Sequence, residues 1–272
     1  MTFGSRLRHA MDTRGPLCVG VDPHPELLLG WGLTDDPRGL ERFALTVTEA
    51  LAPQVAVLKP QSAFFERHGA AGIAVLEKLI PLARDAGCLV LMDAKRGDIG
   101  STMQAYADAY VTPTSPLACD AITANPYLGF GSLEILIDYA VKFDAGVFVV
   151  TLTSNPEGPE VQRSSAAGGG TVAGSILRQI AAVNQAAEPM GSIGAVVGTT
   201  IGEPGEDLRI NGPLLAPGLG AQGGTPEDAA RIFAGVLENV VPAAAREVLR
   251  AGPDVAALRD AARGLNAALS WS

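Results

Sequence analysis

The sequence predicts a single α/β domain spanning 1–272 and folded as a (β/α)8 barrel. Eight short apolar runs are nearly continuous rather than alternating, which suits strands buried on both faces of a parallel sheet. Amphipathic helical patterns fall between them along the whole chain. The length of 272 residues also matches the ~250 typical of such barrels.

The first run, 17–22 (LCVGVD), is apolar until a closing acid, and the second, 55–59 (VAVLK), ends on a lysine. The third, 89–95 (LVLMDAK), carries two charges near its end; the fourth, 120–125 (DAITAN), stops at Asn125-Pro126. The fifth, 146–154 (GVFVVTLTS), is rich in β-branched residues. Runs at 193–198 (IGAVVG), 214–218 (LLAPG) and 239–243 (NVVPA) complete the set. Helical spacing covers 40–51, 72–86, 101–110, 133–142, 174–187, 226–237 and 255–269. A doubly wound open sheet is the competing architecture. It predicts a glycine-rich dinucleotide turn after the first strand, and GVDPHPE at 20–26 has none. The irregular stretch 155–170 (NPEGPEVQRSSAAGGG) reads as a mobile active-site loop, its plainer alternative being a surface insertion.

Composition narrows the partners. Twenty Lys and Arg against 29 Asp and Glu leave a net charge of −9, which offers no general attraction to nucleic acid or an anionic membrane. No apolar stretch approaches the roughly 18 residues of a membrane span. The opening MTFGSRLRHAMDTRG lacks the apolar core of a secretory signal. Cys18, Cys88 and Cys119 each sit in an apolar run and are read as buried, reduced thiols of a cytoplasmic protein. No pair of them has metal-ligand spacing. His9, His24 and His68 read as surface or loop residues away from strand ends, and Trp271 as a surface residue of the tail.

Charge at the ends of apolar strands carries the chemistry. In a parallel barrel the active site forms at the carboxyl ends of the strands, where Asp22, Lys59, Asp93, Lys95 and Asn125 fall. Buried charges of this kind must neutralise one another in a polar mouth. Asp93 and Lys95 are two apart, so they share a face while Met92 and Ala94 point toward the covering helices. Asp98 follows in the loop, before a helix capped near Ser101 or Thr102. A surface salt-bridge cluster is the alternative, and charges interrupting LVLM argue against it.

At 214–232 (LLAPGLGAQGGTPEDAARI) a strand runs into a turn with glycines at 218, 220, 223 and 224, then into a helix starting near Thr225-Pro226. Such a turn lets backbone amides approach an anion, and in this fold the loops after strands seven and eight commonly hold phosphate. Arg246, after strand eight, could grip it bidentately, although a plain tight turn also fits the glycines. Thr153-Ser154 and Asn125-Pro126 end strands and serve equally as ligand contacts or turn formers.

DAKRGDIGST, together with VDPHPE, LKPQSAFFE and APGLGAQGG in this order, resembles the orotidine 5'-phosphate decarboxylases, in particular the longer bacterial subgroup typical of actinobacteria. The resemblance spans nearly the whole chain. It implies decarboxylation of orotidine 5'-phosphate to uridine 5'-phosphate without metal or cofactor, in pyrimidine synthesis. By the same resemblance Lys95 donates the proton to C6, Asp93 sits beside the substrate carboxylate, and Lys59 holds a ribose hydroxyl and orients Asp93. Asp22 would bind the ribose and Ser154 the pyrimidine. Gln222, the amides near Gly223 and Gly224, and Arg246 would take the phosphate. Asp98, Ile99 and Thr102 would reach into the neighbouring subunit's site of a homodimer. Two other readings use the same barrel: a Mg²⁺-dependent sugar-phosphate lyase, and a non-catalytic nucleotide sensor.

Overall fold

In a computed structural model that describes residues 1–269, all eight apolar runs become strands of one closed parallel barrel, in the order of the chain. Helix α1 (Phe3–Arg14) precedes β1 (Cys18–Val21), and α2 (Pro25–Gly30) and α3 (Pro37–Leu51) lead to β2 (Val57–Pro60). Helices α4 (Ser62–Glu66) and α5 (Gly69–Asp85) precede β3 (Leu89–Arg96), and α6 (Gly100–Tyr110) precedes β4 (Ala121–Ala124). Next come α7 (Glu134–Lys142), β5 (Gly146–Leu152), α8 (Gly158–Gln162), α9 (Val172–Asn184), β6 (Ile193–Val197) and β7 (Leu214–Pro217). The chain then runs through α10 (Pro226–Ile232), β8 (Val240–Ala244), α11 (Arg246–Leu249) and α12 (Val255–Ala268). Trp271, expected on the surface, lies outside the described residues.

The strands sort their side chains by period two. On β3, Leu89 and Leu91 join the inner core, while Val90 and Met92 join the layer between barrel and helices. On β2, Val57 faces inward and Leu58 outward. Asp93 and Lys59 continue the inward rows at the carboxyl end, as the alternation requires. β1 closes the barrel by pairing with both β2 and β8, with Cys18 opposite Val57 on one side and Ala243 on the other.

Helix α1 seals the opposite end. Its Phe3, Leu7, Ala10 and Met11 pack beneath the inner core, and the Phe3 ring meets Phe148 edge-on at 6.0 Å. Asp120, just before β4, is buried at that end. It accepts from the Val90 amide at 2.9 Å and pairs with Arg6 at 2.5 Å. Of two expected helix starts, one is met and one is shifted. Thr225 and Asp228 form a reciprocal capping box with Pro226 at the first helical position, as expected. Helix α6, by contrast, starts one residue before Ser101, with Ile99 at its N-cap and no side-chain cap. The three cysteines are buried and unbridged, and burial pushes each thiol up to about 12. Among the described residues no helix is long and apolar enough to cross a membrane.

Candidate active site

A row of three charges crosses the barrel mouth. Lys59 Nζ donates to Asp93 Oδ2 at 2.9 Å, and Lys95 Nζ donates to Asp93 Oδ1 at 2.6 Å. Asp93 and Lys59 are buried, whereas the Lys95 side chain is 47% exposed. Burial pushes the Asp93 carboxyl up, but the two ammonium groups outweigh it and hold the carboxyl well below the usual range. For Lys59, burial acts against the charge. Asp93 and Asp22 overcome it and keep the ammonium protonated beyond the ordinary lysine range. The buried charges of Asp93 and Lys59 are therefore stabilised by their neighbours.

The backbone beneath this row is irregular. Leu91 and Met92 pair with Ala121 and Ile122, but the next pairing is Arg96 with Ala124. Asp93, Ala94 and Lys95 thus stand opposite a single β4 residue, Thr123, and the bulge is absorbed by Lys95 at φ 47°. Gln61 Nε2 donates to the Asp93 carbonyl at 3.1 Å. Neither Thr123 nor Gln61 stood out in the sequence as a site residue, although Gln61 lies within LKPQSAFFE.

The row joins two concavities. On one side a small cavity of about 80 Å³ is lined by Asp22, His24, Lys59, Gln222 and Arg246. Asp22 Oδ1 has no hydrogen-bond partner there; burial raises the carboxyl's pKa and Lys59 opposes the rise. His24, expected to lie apart from strand ends, belongs to this cavity, three residues past β1, with its ring against Phe64 at 4.3 Å. Gly218 and Gly224 pack on Thr199. A Cβ at Gly218, whose φ is 112°, would come within 2.7 Å of the Thr199 hydroxyl, and one at Gly224 would overlap it. The amides of Gly223 and Gly224 donate within the turn, to Gly220 O at 2.7 Å and Gly218 O at 3.0 Å. In this state they shape the loop rather than point free, while the Gln222 and Arg246 side chains border the cavity.

On the other side Lys95 opens into a groove of about 810 Å³ between the segments following β4 and β5. Thr153 and Asn155 line it on either side of Ser154, which is itself exposed. The 155–170 segment forms the groove's outer wall and is partly folded, through α8 and a bridge between Ser165 and Thr171. Arg163 ties it to the β6–β7 connection, donating to Pro204 O at 2.6 Å and Glu203 O at 3.0 Å. Ile99 and Thr102 are exposed and Asp98 is half-buried, and none of the three lines either concavity. Asp98 Oδ1 accepts from the Ile99 amide at 2.8 Å and meets no cation among the described residues.

Barrel and row together define a chain of the (β/α)8 enzyme class, with charged side chains at the carboxyl ends of the strands, where such barrels hold their active sites. A family profile described as Orotidine 5'-phosphate decarboxylase / HUMPS family matches residues 15–261. The chain belongs to that family. An orotidine 5'-phosphate decarboxylase of Streptomyces coelicolor is 60% identical over 261 residues, 96% of this chain and 94% of the relative. One from a Nocardioides strain is 62% identical over 257 residues, covering 93% of this chain and 94% of the relative. A crystal structure of a Streptomyces avermitilis chain described as the same enzyme is 58% identical and superposes with a TM-score of 0.96, covering 98% of this chain and 94% of the other.

Proposed function

We propose that this chain is a carboxy-lyase that converts orotidine 5'-phosphate to uridine 5'-phosphate and CO₂, with Lys95 as the proton donor. Family membership and the curated decarboxylases at about 60% identity support the activity. The observation that carries the residue-level reading is the unbroken Lys59–Asp93–Lys95 row at the barrel mouth.

When the bond from C6 to the carboxylate breaks, its electron pair stays on C6 in an orbital lying in the ring plane. No π-system delocalises it, so the charge must be met electrostatically and then protonated. The Lys95 ammonium does both: it faces the developing carbanion and gives its Nζ proton to C6, and solvent later restores that proton. Repulsion between Asp93 and the substrate carboxylate is too small to be the main cause of the rate. Two charges 4 Å apart interact by about 4 kcal/mol at an effective dielectric of ~20. Enzymes lower barriers by roughly 8–23 kcal/mol. The carbanion chemistry calls on no cofactor.

The substrate lies across the row. Its phosphate enters the small cavity with Gln222 and Arg246, supported by the amides around Gly223 and Gly224 once the turn adapts. The ribose meets Asp22 and Lys59, and a ribose hydroxyl supplies the donor that Asp22 Oδ1 lacks. The pyrimidine projects into the groove past Lys95 toward Ser154. The 155–170 wall acts as a lid that closes when phosphate binds. Asp98, Ile99 and Thr102 serve the site of a second copy. Ile99 is 63% exposed, and Tyr127 and Leu128 in the loop after the adjacent strand are 75% and 54% exposed, an apolar rim suited to a homodimer. Three buried thiols suit a reducing cytoplasm.

The test is the loss of orotidine 5'-phosphate absorbance on adding purified protein, with and without EDTA. Rapid loss indifferent to EDTA is expected. Loss abolished by EDTA would point instead to a Mg²⁺-dependent lyase, and no loss from folded protein that binds uridine 5'-phosphate would leave a sensor.

A further inference from the structure

We infer that Thr123 is a positioning residue for the reaction, its hydroxyl locking the Lys95 backbone and the Asp93 carboxylate into one unit. The inference rests on the activity proposed above and adds a residue to it. Thr123 is buried on β4, the one residue opposite the three-residue bulge. Its Oγ1 accepts from the Lys95 amide at 2.9 Å and donates to Asp93 Oδ1 at 2.8 Å. Lys95 Nζ donates to that same Oδ1, so amide, hydroxyl, carboxylate oxygen and ammonium close a ring around Lys95.

Two physical demands meet in this ring. A lysine at φ 47° lies in the left-handed region, which disfavours any side chain with a Cβ. Such a conformation persists only where surrounding contacts over-determine it. The bulge displaces the Lys95 amide from the regular ladder, and the Thr123 hydroxyl is the acceptor it finds. The second demand arises in turnover. Once Lys95 has given up its proton, Asp93 Oδ1 loses a charged donor, and the Thr123 hydroxyl still holds that oxygen where the next ammonium must form. Valine at 123 fills nearly the same space without the hydroxyl. Serine keeps the hydroxyl and loses only a methyl group.

The experiment compares wild type, Thr123→Val and Thr123→Ser for kcat, KM and calorimetric affinity for uridine 5'-phosphate. Exchange of the Lys95 amide is followed in parallel by NMR. Losing a hydrogen bond to a charged group predicts a fall in kcat of about 10- to 100-fold for Thr123→Val. Product affinity and KM should stay within about threefold, the Lys95 amide should exchange faster, and Thr123→Ser should recover most of the loss. The role is overturned if Thr123→Val keeps wild-type kcat, if Thr123→Ser falls as far as Thr123→Val, or if kcat and product affinity fall together. Absence of turnover in the wild type would instead sink the activity; the Lys95 exchange rates in the two variants then decide the role of Thr123 alone.

Discussion

Asp22 holds an uncompensated cost. Its carboxyl is buried with one oxygen unpartnered, and its pKa is raised. A folded pKa above the unfolded value of about 3.9 means that the folded state favours the neutral acid. Its contribution to stability is therefore lost as pH rises from that value through the folded pKa. Asp22→Asn should raise the melting temperature of the ligand-free protein at pH 8 by about 2–4 °C, the shift expected per kcal/mol at this size. The same change should weaken uridine 5'-phosphate binding about tenfold, for want of a charged acceptor. Thermal denaturation with and without the nucleotide checks both; a lower melting temperature for the free variant would mean that attraction to Lys59 outweighs burial. At this scale legibility followed local spacing. Asp93 and Lys95 could be read from the sequence because period-two alternation puts them on one face of an apolar strand. Thr123 could not, since its partners lie 28 and 30 residues back and only the pairing of β3 with β4 joins them. His24 was hidden for a similar reason: its place in the cavity depends on β8 closing against β1.

At the scale of elements, the eight strands and the longer helices from α3 onward were legible, because continuous apolar runs and helical periods are strong local signals. The short helices α2, α4, α8 and α11 were not, because four to six residues give less than two turns of periodicity. Helix α1 also escaped: SRLRH within it reads as polar surface until the open end of the barrel is there to be covered. The 155–170 segment was recognised by its irregular composition, but α8 and its bridge were not visible in it. Arg163 is the clearest anchor of that segment, through two carbonyls of the β6–β7 connection. Arg163→Ala should leave the melting temperature nearly unchanged, speed proteolysis within 155–170 and raise KM about tenfold, the worth of the two lost hydrogen bonds. Limited proteolysis with and without uridine 5'-phosphate reads this directly. Equal cleavage rates in variant and wild type would remove Arg163 from the account of the lid.

For the whole molecule, Asp98, Ile99 and Thr102 share a motif with the charged row yet line neither of the concavities it joins. If they complete a partner's site, each site of a symmetric dimer draws on both chains. Mixing Lys95→Ala chains with Asp98→Ala chains then builds heterodimers in which one site has both residues intact and the other has neither. Random pairing should recover about a quarter of wild-type activity from two nearly inactive parents, one intact site in half of the dimers. Dilution should reduce that recovery as dimers separate. Native mass spectrometry verifies the mixed species, and verified heterodimers with no recovered activity would confine each site to a single chain.

The left-handed backbone at residue 95 also bears on how a lineage carrying this chain would change. Glycine adopts that conformation without strain, whereas lysine holds it only under constraint. If Lys95 is the proton donor proposed above, selection for decarboxylation keeps the lysine against its own conformational preference. A gene copy released from that selection, but still required to fold, would drift toward glycine at 95. Position 95 would then be among the first to be erased in a duplicate, well before the barrel around it showed any sign of decay.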